Sequence, residues 1–479
     1  MTKAWPVTLA ALTLLRLLVA AKTPLSPDEA YYWIWSKALA PGYLDHPPMV
    51  ALWIRAGTTI AGDGSVGVRL LAPLAAALGS LLLARAADDL LPGRRAGPVA
   101  ALLLNATLLF GVGAVTMTPD TPLLFFWTAT LWALARVHAT GGGRWWLVAG
   151  VAAGLACDSK YTGFLLVPAV LLWLVWAQRQ WLRRPHPWAA AILALACFAP
   201  VVMWNAAHGW AGFAKQGGRV GDWAPSRSLQ FLGELLGGQL GLATPLLAPL
   251  FCAGIVVAAR RAWRRDPAAS LLVLLTLLPA SVFVEHALGD RVQANWPAIL
   301  YPTAAVAAAG LAGRWVRWRT PAVVLGFVLT ACVYTQATFA VLPLPAKFDP
   351  GLRQLGCWPG FAAEVAQAAH ANGATFVAVE NYGDAAELAR TLPPDLPVVG
   401  IDARWAYVGV PDATTVIDGQ SGLLLRAARY AEAPDGSDWA IMGAPIPLAR
   451  ARDGRVAEEY RLYPVVGRTG PTPVVVLPR

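Results

Sequence analysis

Charge is what this chain lacks. Asp, Glu, Lys and Arg make up 14% of its 479 residues, against roughly 25% in a soluble globular protein. So little charge excludes an ordinary water-exposed surface over most of the length. Cysteine is scarce too: five are present. No CxxC pair occurs among them, which excludes a zinc ribbon, and their scatter excludes a disulfide framework. Alternating apolar and polar segments of about ten residues are missing, so a membrane β-barrel is excluded.

Apolar sequence fills the space instead. Hydrophobic residues are 57% of the chain, and long runs recur from Trp5 to Leu342, each near the roughly 20 residues that cross a hydrocarbon core as helix. Backbone in lipid must satisfy its own hydrogen bonds, so these runs predict helices. The first, Trp5 to Ala21, is followed by Lys22, Thr23 and Pro24 rather than a small-residue cleavage site, and reads as an uncleaved span.

The net charge of +10 invites a nucleic-acid reading, but its distribution excludes one. Arginines cluster between apolar runs, at Arg94-Arg95, Arg183-Arg184, Arg260-Arg261 with Arg264-Arg265, and Arg314, Arg317 and Arg319. That is the positive-inside pattern, which sets orientation and meets anionic membrane lipid. Crossings at about 4–21, 65–87, 97–115, 120–138, 145–158, 162–178, 188–204, 231–259, 268–285, 297–312 and 321–342 put every dense cluster on one side. The expectation is a polytopic α-helical membrane protein of about eleven spans, thirteen at most, with the N-terminus cytoplasmic. The eighth run is long for one crossing and leaves room for a re-entrant turn. After Pro343 charges become frequent and short β-like runs appear. Helices at Phe361 to Asn372 and Gly383 to Leu392, with strands at Thr375–Val379 and Val398–Ile401, predict a small extracytoplasmic α/β domain. The division is therefore residues 1–342, with an outer loop at 22–64, and 343–479.

That outer loop carries chemistry. Ser26-Pro27-Asp28-Glu29 begins a helix, with Ser26 or Asp28 as cap, followed by Tyr31, Tyr32, Trp33 and Trp35, which suit a membrane interface. The structural role of Asp28-Glu29 is helix capping; the functional one is a carboxylate held above the headgroups. Further on, Tyr43-Leu44-Asp45-His46-Pro47-Pro48-Met49 sets an acid beside an imidazole on a rigid Pro-Pro corner. By parity His46, His208 and His286 all fall at the outer face, where with Asp45 and Glu285 they suit one divalent metal ion, or remain separate interfacial residues. Lys160, at the outer end of a helix pair, suits phosphate or snorkels to the interface. Arg219 is a second candidate cation. Tyr31 and Tyr32 line a sugar pocket or belong to the interfacial belt.

The run from Asp28 to Trp35, followed by Tyr43 to Met49, resembles the C-type membrane glycosyltransferases related to protein O-mannosyltransferases and the lipid A aminoarabinose transferase. In the same order, Thr118-Pro119-Asp120-Thr121-Pro122, Ser159-Lys160-Tyr161-Thr162, Trp204-Asn205-Ala206-Ala207-His208-Gly209-Trp210 and Gln293-Ala294-Asn295-Trp296-Pro297 resemble further segments of that family. The resemblance covers roughly residues 1–340. It implies a sugar donor on a polyprenyl phosphate such as undecaprenyl phosphate, and Asp28 as the general base toward an acceptor hydroxyl on a glycolipid, polysaccharide or protein. It implies a metal-binding acid at Asp45 and a basic, substrate-binding residue at His46. Residue chemistry and topology add Glu29, Tyr31, Tyr32, Lys160 and Arg219 to the expected substrate-binding set, and His208 and His286 to the expected metal set. Asp45-His46 stands where the aminoarabinose branch prefers Glu-Lys. The implied location is a bacterial inner membrane, with the C-terminal domain periplasmic or extracellular. A lipid-linked sugar flippase is the alternative, but such proteins show internal repeats and mid-membrane polar groups, and no repeat is present. A non-catalytic scaffold is a third reading.

Overall fold

Helices fill the chain up to Phe339, and a mixed sheet follows. The structure, a computed structural model, describes residues 5–218, 223, 225–430, 432, 434, 439–467 and 472–479; Arg219 lies outside them. Two compact units result. The first is Met1–Ala20, Leu44–Trp53 and Arg69–Tyr334; the second is Ala21–Tyr43, Ile54–Val68 and Thr335–Arg479. Composition alone set the division at 343. Residues 21–43 cluster with the C-terminal stretch because the helix Pro27–Lys37 packs on the helix Tyr382–Thr391.

Among the described residues, five helices are long and apolar enough to cross a membrane: Trp5–Lys22, Ser65–Leu90, Pro185–Ala207, Pro267–His286 and Gly313–Phe339. Shorter apolar helices stand at Met49–Ala61, Arg144–Cys157, Tyr161–Ala177 and Trp296–Ala309. Met49–Ala61 was not anticipated, since residues 22–64 read as one polar segment. The chain is thus a helical membrane protein with a C-terminal sheet domain.

Two expected crossings are broken, each for a local reason. The run at 97–115 splits into Gly97–Asn105 and Leu108–Gly113, because Thr107 turns extended and its side chain caps the second piece by accepting from Phe110 N. The run at 231–259 becomes Pro225–Ala243 and Leu247–Ala262, bent by 103° around Thr244, which has φ +80°, and Pro245. A β-branched residue at positive φ cannot continue a helix.

Close helix packing in the first unit uses absent side chains. A Cβ on Gly254 would lie 2.5 Å from Ala308 N, and one on Gly150 or Gly326 would strike the backbone at Ala190 or Ala106. Small residues at such crossings let backbones approach in lipid, where burial of apolar surface gives no gain. Arg319, read from sequence as a topological charge, also donates to the carbonyls of Ala308, Ala309 and Leu311. It thereby adds a charged donor at the carbonyl end of the helix Tyr301–Ala309.

The second unit holds strands β1 (Val377–Val379), β2 (Val398–Ile401), β3 (Ser421–Ala427), β4 (Trp439–Ile441), β5 (Ile446–Arg452), β6 (Arg455–Gly467) and β7 (Val474–Val476). Their order is β4-β6-β3-β1-β2-β7, with β5 on β6. β1 runs parallel to β2 and β3, and the other pairs are antiparallel. Phe376, Ala378, Val399, Leu424 and Val465 form part of one buried face. The helices Trp358–Ala371 and Tyr382–Thr391 stand where the apolar pattern put them.

Candidate active site

In the second unit the sequence Ser26-Pro27-Asp28-Glu29 folds as a capping box. Ser26 Oγ accepts from Glu29 N at 3.3 Å, and Glu29 Oε2 accepts from Ser26 N at 3.0 Å. The reciprocal bonds satisfy two orphan donors and fix the start of the Pro27–Lys37 helix. Glu29 is fully buried there, so its carboxylate serves the cap rather than a substrate. Asp28, one residue earlier, is exposed in the first turn, where the helix dipole favours its charge.

Asp28 has a partner that no local pattern announces. Tyr382 Oη donates to Asp28 Oδ1 at 2.9 Å. Tyr382 opens the Tyr382–Thr391 helix, whose cap is Asn381; Asn381 Oδ1 accepts from Gly383 N and Asp384 N. The Arg404 guanidinium lies 3.9 Å from the centroid of the Tyr382 ring. Tyr31 meets the same ring edge-on at 4.6 Å and Trp35 at 4.9 Å. Tyr31 and Tyr32 are buried, and their aromatic surface is spent on packing.

The same helix carries a second polar group. Trp33 Nε1 donates to Asp63 Oδ1 at 2.9 Å, and Lys37 Nζ approaches that oxygen at 2.7 Å. Burial alone would raise the Asp63 carboxyl. The hydrogen bonds from Lys37 and Trp33, with the charges of Lys37 and Arg390, outweigh it and hold the group below the usual carboxylate range.

The first unit holds a separate polar cavity of about 380 Å³, lined by His46, Lys160, Thr162, Gln216, Arg291 and Trp296 among others. Lys160 is the most buried of its charges. Its Nζ lies 2.7 Å from Asp120 Oδ1, Asn295 Nδ2 donates to Asp120 Oδ2 at 2.6 Å, and the ammonium sits 5.8 Å from the Trp296 ring centroid. Asp120 begins the Asp120–Thr140 helix. Thr162 Oγ1 is buried with no hydrogen bond in the protein, an acceptor and donor available to a ligand. On the rim Arg291 pairs with Glu234 at 2.6 Å.

The expected metal set does not assemble. Asp45 Oδ1 is held by Lys215 Nζ at 2.6 Å. His208 stacks on Trp204 at 4.3 Å, and its Nδ1 stands 2.8 Å from the Trp204 carbonyl. His286 leans on Trp296 at 5.4 Å. Among the described residues no three His, Cys, Asp or Glu side chains gather as metal ligands. An ion pair and a carbonyl contact occupy the donors that ligation would need, so these residues do not fit a bound divalent ion as arranged.

Of the residues singled out from sequence, His46 and Lys160 meet in one cavity, and Asp28 belongs to the other unit with Glu29, Tyr31 and Tyr32. Asp120, Asn295 and Arg291 were missed, although Asp120 and Asn295 sit within motifs already noted. A lone acid and a lone amide at the ends of apolar helices were the available signal. Nothing in the sequence marked Tyr382.

Comparisons with known proteins bear on the family and the fold. Residues 45–204 match the family model described as dolichyl-phosphate-mannose-protein mannosyltransferase. The chain is 28% identical over 303 residues to the lipid A galacturonosyltransferase RgtD of Rhizobium johnstonii, covering 61% of each chain. It is 30% identical over 203 residues to the undecaprenyl phosphate-alpha-4-amino-4-deoxy-L-arabinose arabinosyl transferase of Edwardsiella ictaluri, covering 38% of this chain and 34% of that one. These matches span about three-fifths of the first relative's length and one-third of the second's. In fold, 97% of the chain is similar to 98% of the crystal structure of ArnT from Cupriavidus metallidurans bound to undecaprenyl phosphate, with a TM-score of 0.61 at 16% identity. At that identity the likeness establishes the fold. In sequence and fold together the chain resembles the polyprenyl-phosphate-sugar-dependent glycosyltransferases of the C type.

Proposed function

We propose that this chain is a glycosyltransferase of a bacterial inner membrane, moving a sugar from a polyprenyl-phosphate carrier to an acceptor hydroxyl at the outer face. The observation that carries this reading is the polar cavity built around the Lys160–Asp120 pair in a chain with an ArnT-like fold. Asp120 offsets the cost of holding the Lys160 ammonium among apolar helices, and keeps a charged donor at a polar cavity where an anion can be met. A polyprenyl phosphate presents such an anion while its tail stays in lipid. Nothing in the fold or the comparisons favours the flippase alternative.

The roles follow from the reaction. The acceptor hydroxyl loses its proton to Asp28 as its oxygen attacks the anomeric carbon. The bond from that carbon to the phosphate oxygen breaks, and polyprenyl phosphate leaves with the electron pair. Lys160 and His46, with Arg219 as the further candidate from the second outer loop, meet the charge that develops there. Trp296 offers an apolar face to the sugar, and Gln216 and Thr162 offer hydrogen bonds.

The transferred group is a hexose or pentose; the two curated relatives are named for galacturonosyl and arabinosyl transfer. We take a glycolipid such as lipid A as the first choice of acceptor, ahead of a polysaccharide or a protein. Eleven crossings, a cytoplasmic N-terminus and an extracytoplasmic stretch after residue 343 fit the arginine clusters.

The test uses the full-length protein in proteoliposomes with polyprenyl-phosphate sugars and glycolipid acceptors. Wild type is expected to transfer sugar, and Asp28→Asn to fall by about 100-fold or more with its melting temperature preserved. Undiminished transfer by Asp28→Asn removes Asp28 from the chemistry. Movement of the lipid-linked sugar without transfer replaces the whole reading with a flippase.

A further inference from the structure

We propose that Tyr382, from the C-terminal stretch, is a positioning residue for Asp28. The inference rests on the reading of Asp28 as general base and goes beyond it by giving the C-terminal domain a part in the chemistry.

The contact is built rather than incidental. Asn381 caps the Tyr382–Thr391 helix, which fixes Tyr382 in its first turn. Gly383 lets that turn close onto the start of the Pro27–Lys37 helix, since a Cβ there would lie 2.6 Å from Pro27 Cβ. The phenol is then locked from two sides, with Tyr31 edge-on at 4.6 Å and the Arg404 guanidinium over its face at 3.9 Å. Arg404 is itself steadied by Asp402 at 3.1 Å. From this seat Tyr382 Oη donates to Asp28 Oδ1 at 2.9 Å across 354 residues of sequence. Asp28 remains exposed, as a base must be to meet an acceptor.

Two consequences follow. The bond selects one orientation of a carboxylate that a helix start alone would leave to rotate. A hydroxyl donating to the ionised form also favours that form, and a cation over the ring draws electron density from the phenol and makes it a better donor. Glu29 and Tyr31 lie beside Asp28 on its own helix, Tyr382 and the buried Asp384 come from the helix packed against it, and Arg404 comes from the Ala403–Tyr407 turn.

Tyr382→Phe removes the hydroxyl and keeps the ring, the Tyr31 contact and the cation over the face. In the full-length protein kcat is expected to fall about 10-fold, KM for the lipid-linked donor to stay within about 2-fold, and the acidic limb of the kcat profile to move to higher pH. Arg404→Gln keeps the hydroxyl, loses the polarising charge, and is expected to move the limb the same way by less. A merely structural tyrosine would lower the melting temperature without moving the limb. Asp28→Asn inactive, with Tyr382→Phe matching wild type in kcat and acidic limb, overturns this inference alone. Asp28→Asn fully active overturns the base assignment, and this inference with it.

Discussion

Lys160 and Asp120, forty residues apart, form an ion pair of 2.7 Å with side chains only 8% and 15% exposed. Removing one partner of such a pair strands the other charge, at a cost of about 3–5 kcal/mol, while replacing both with apolar residues is often neutral. Structure and function can therefore be separated. Lys160→Met is expected to lower both the melting temperature and sugar transfer. Lys160→Met with Asp120→Leu is expected to recover much of the melting temperature and none of the transfer. Transfer returning with stability in the double variant would make the pair structural only.

Lys160 was legible in the sequence because a cation beside apolar runs demands an explanation. Asp120 was harder, since an acid at a helix start already has one in the dipole. The helix start was readable, with Ser26 or Asp28 as its cap, because capping rules are local; the choice of Ser26 and its reciprocal bond with Glu29 came from the structure. The helix break at Thr107 was not readable, since a threonine within an apolar run marks a cap only once its backbone turns extended. The Tyr382–Asp28 bond could not be read at all. It depends on a cap at Asn381 and an absent side chain at Gly383, hundreds of residues from the loop they serve. The expected metal set failed for a related reason: topology placed His46, His208 and His286 on one side of the membrane but said nothing of Lys215 and Trp204, which take up Asp45 and His208.

Gly383 sharpens the point, because its local and tertiary effects oppose each other. In a helix, Gly→Ala ordinarily stabilises by about 0.5–1 kcal/mol. Here the new methyl would sit 2.6 Å from Pro27 Cβ, backed by the Pro27 backbone at 3.6 Å. Overpacking of that kind costs about 1–3 kcal/mol, and the tertiary term wins. Gly383→Ala is expected to lower the melting temperature by a few degrees and to reduce turnover as the Tyr382–Asp28 bond opens. A variant as stable as wild type would mean the two helix starts separate freely, and the bond between them is not held by close packing.

The C-terminal domain also carries its own pH dependence. Asp384 is buried, and burial pushes its carboxyl up to about 6, with the charges of Arg450 and Arg429 and a hydrogen bond with Tyr460 opposing the shift. An unfolded aspartate titrates near 3.9. Below about pH 4 both states hold the proton, and above about pH 6 both have lost it. Between these limits the folded state binds the proton and the unfolded state does not, so stability falls as pH rises, by up to about 1.4 kcal/mol per pH unit, and then levels. Asp384→Asn removes the titration. It leaves Arg450 anchored, because its two terminal nitrogens donate to the carbonyls of Gly356 and Arg353 at 2.7 and 2.8 Å. Hydrogen-exchange protection of residues 384–389 is the measurement, comparing variant and wild type at matched pH. Protection in wild type is expected to decline relative to the variant from about pH 4 to 6 and to run parallel above it. Parallel curves throughout would mean that Asp384 is already ionised at pH 4 and that the paired arginines outweigh its burial.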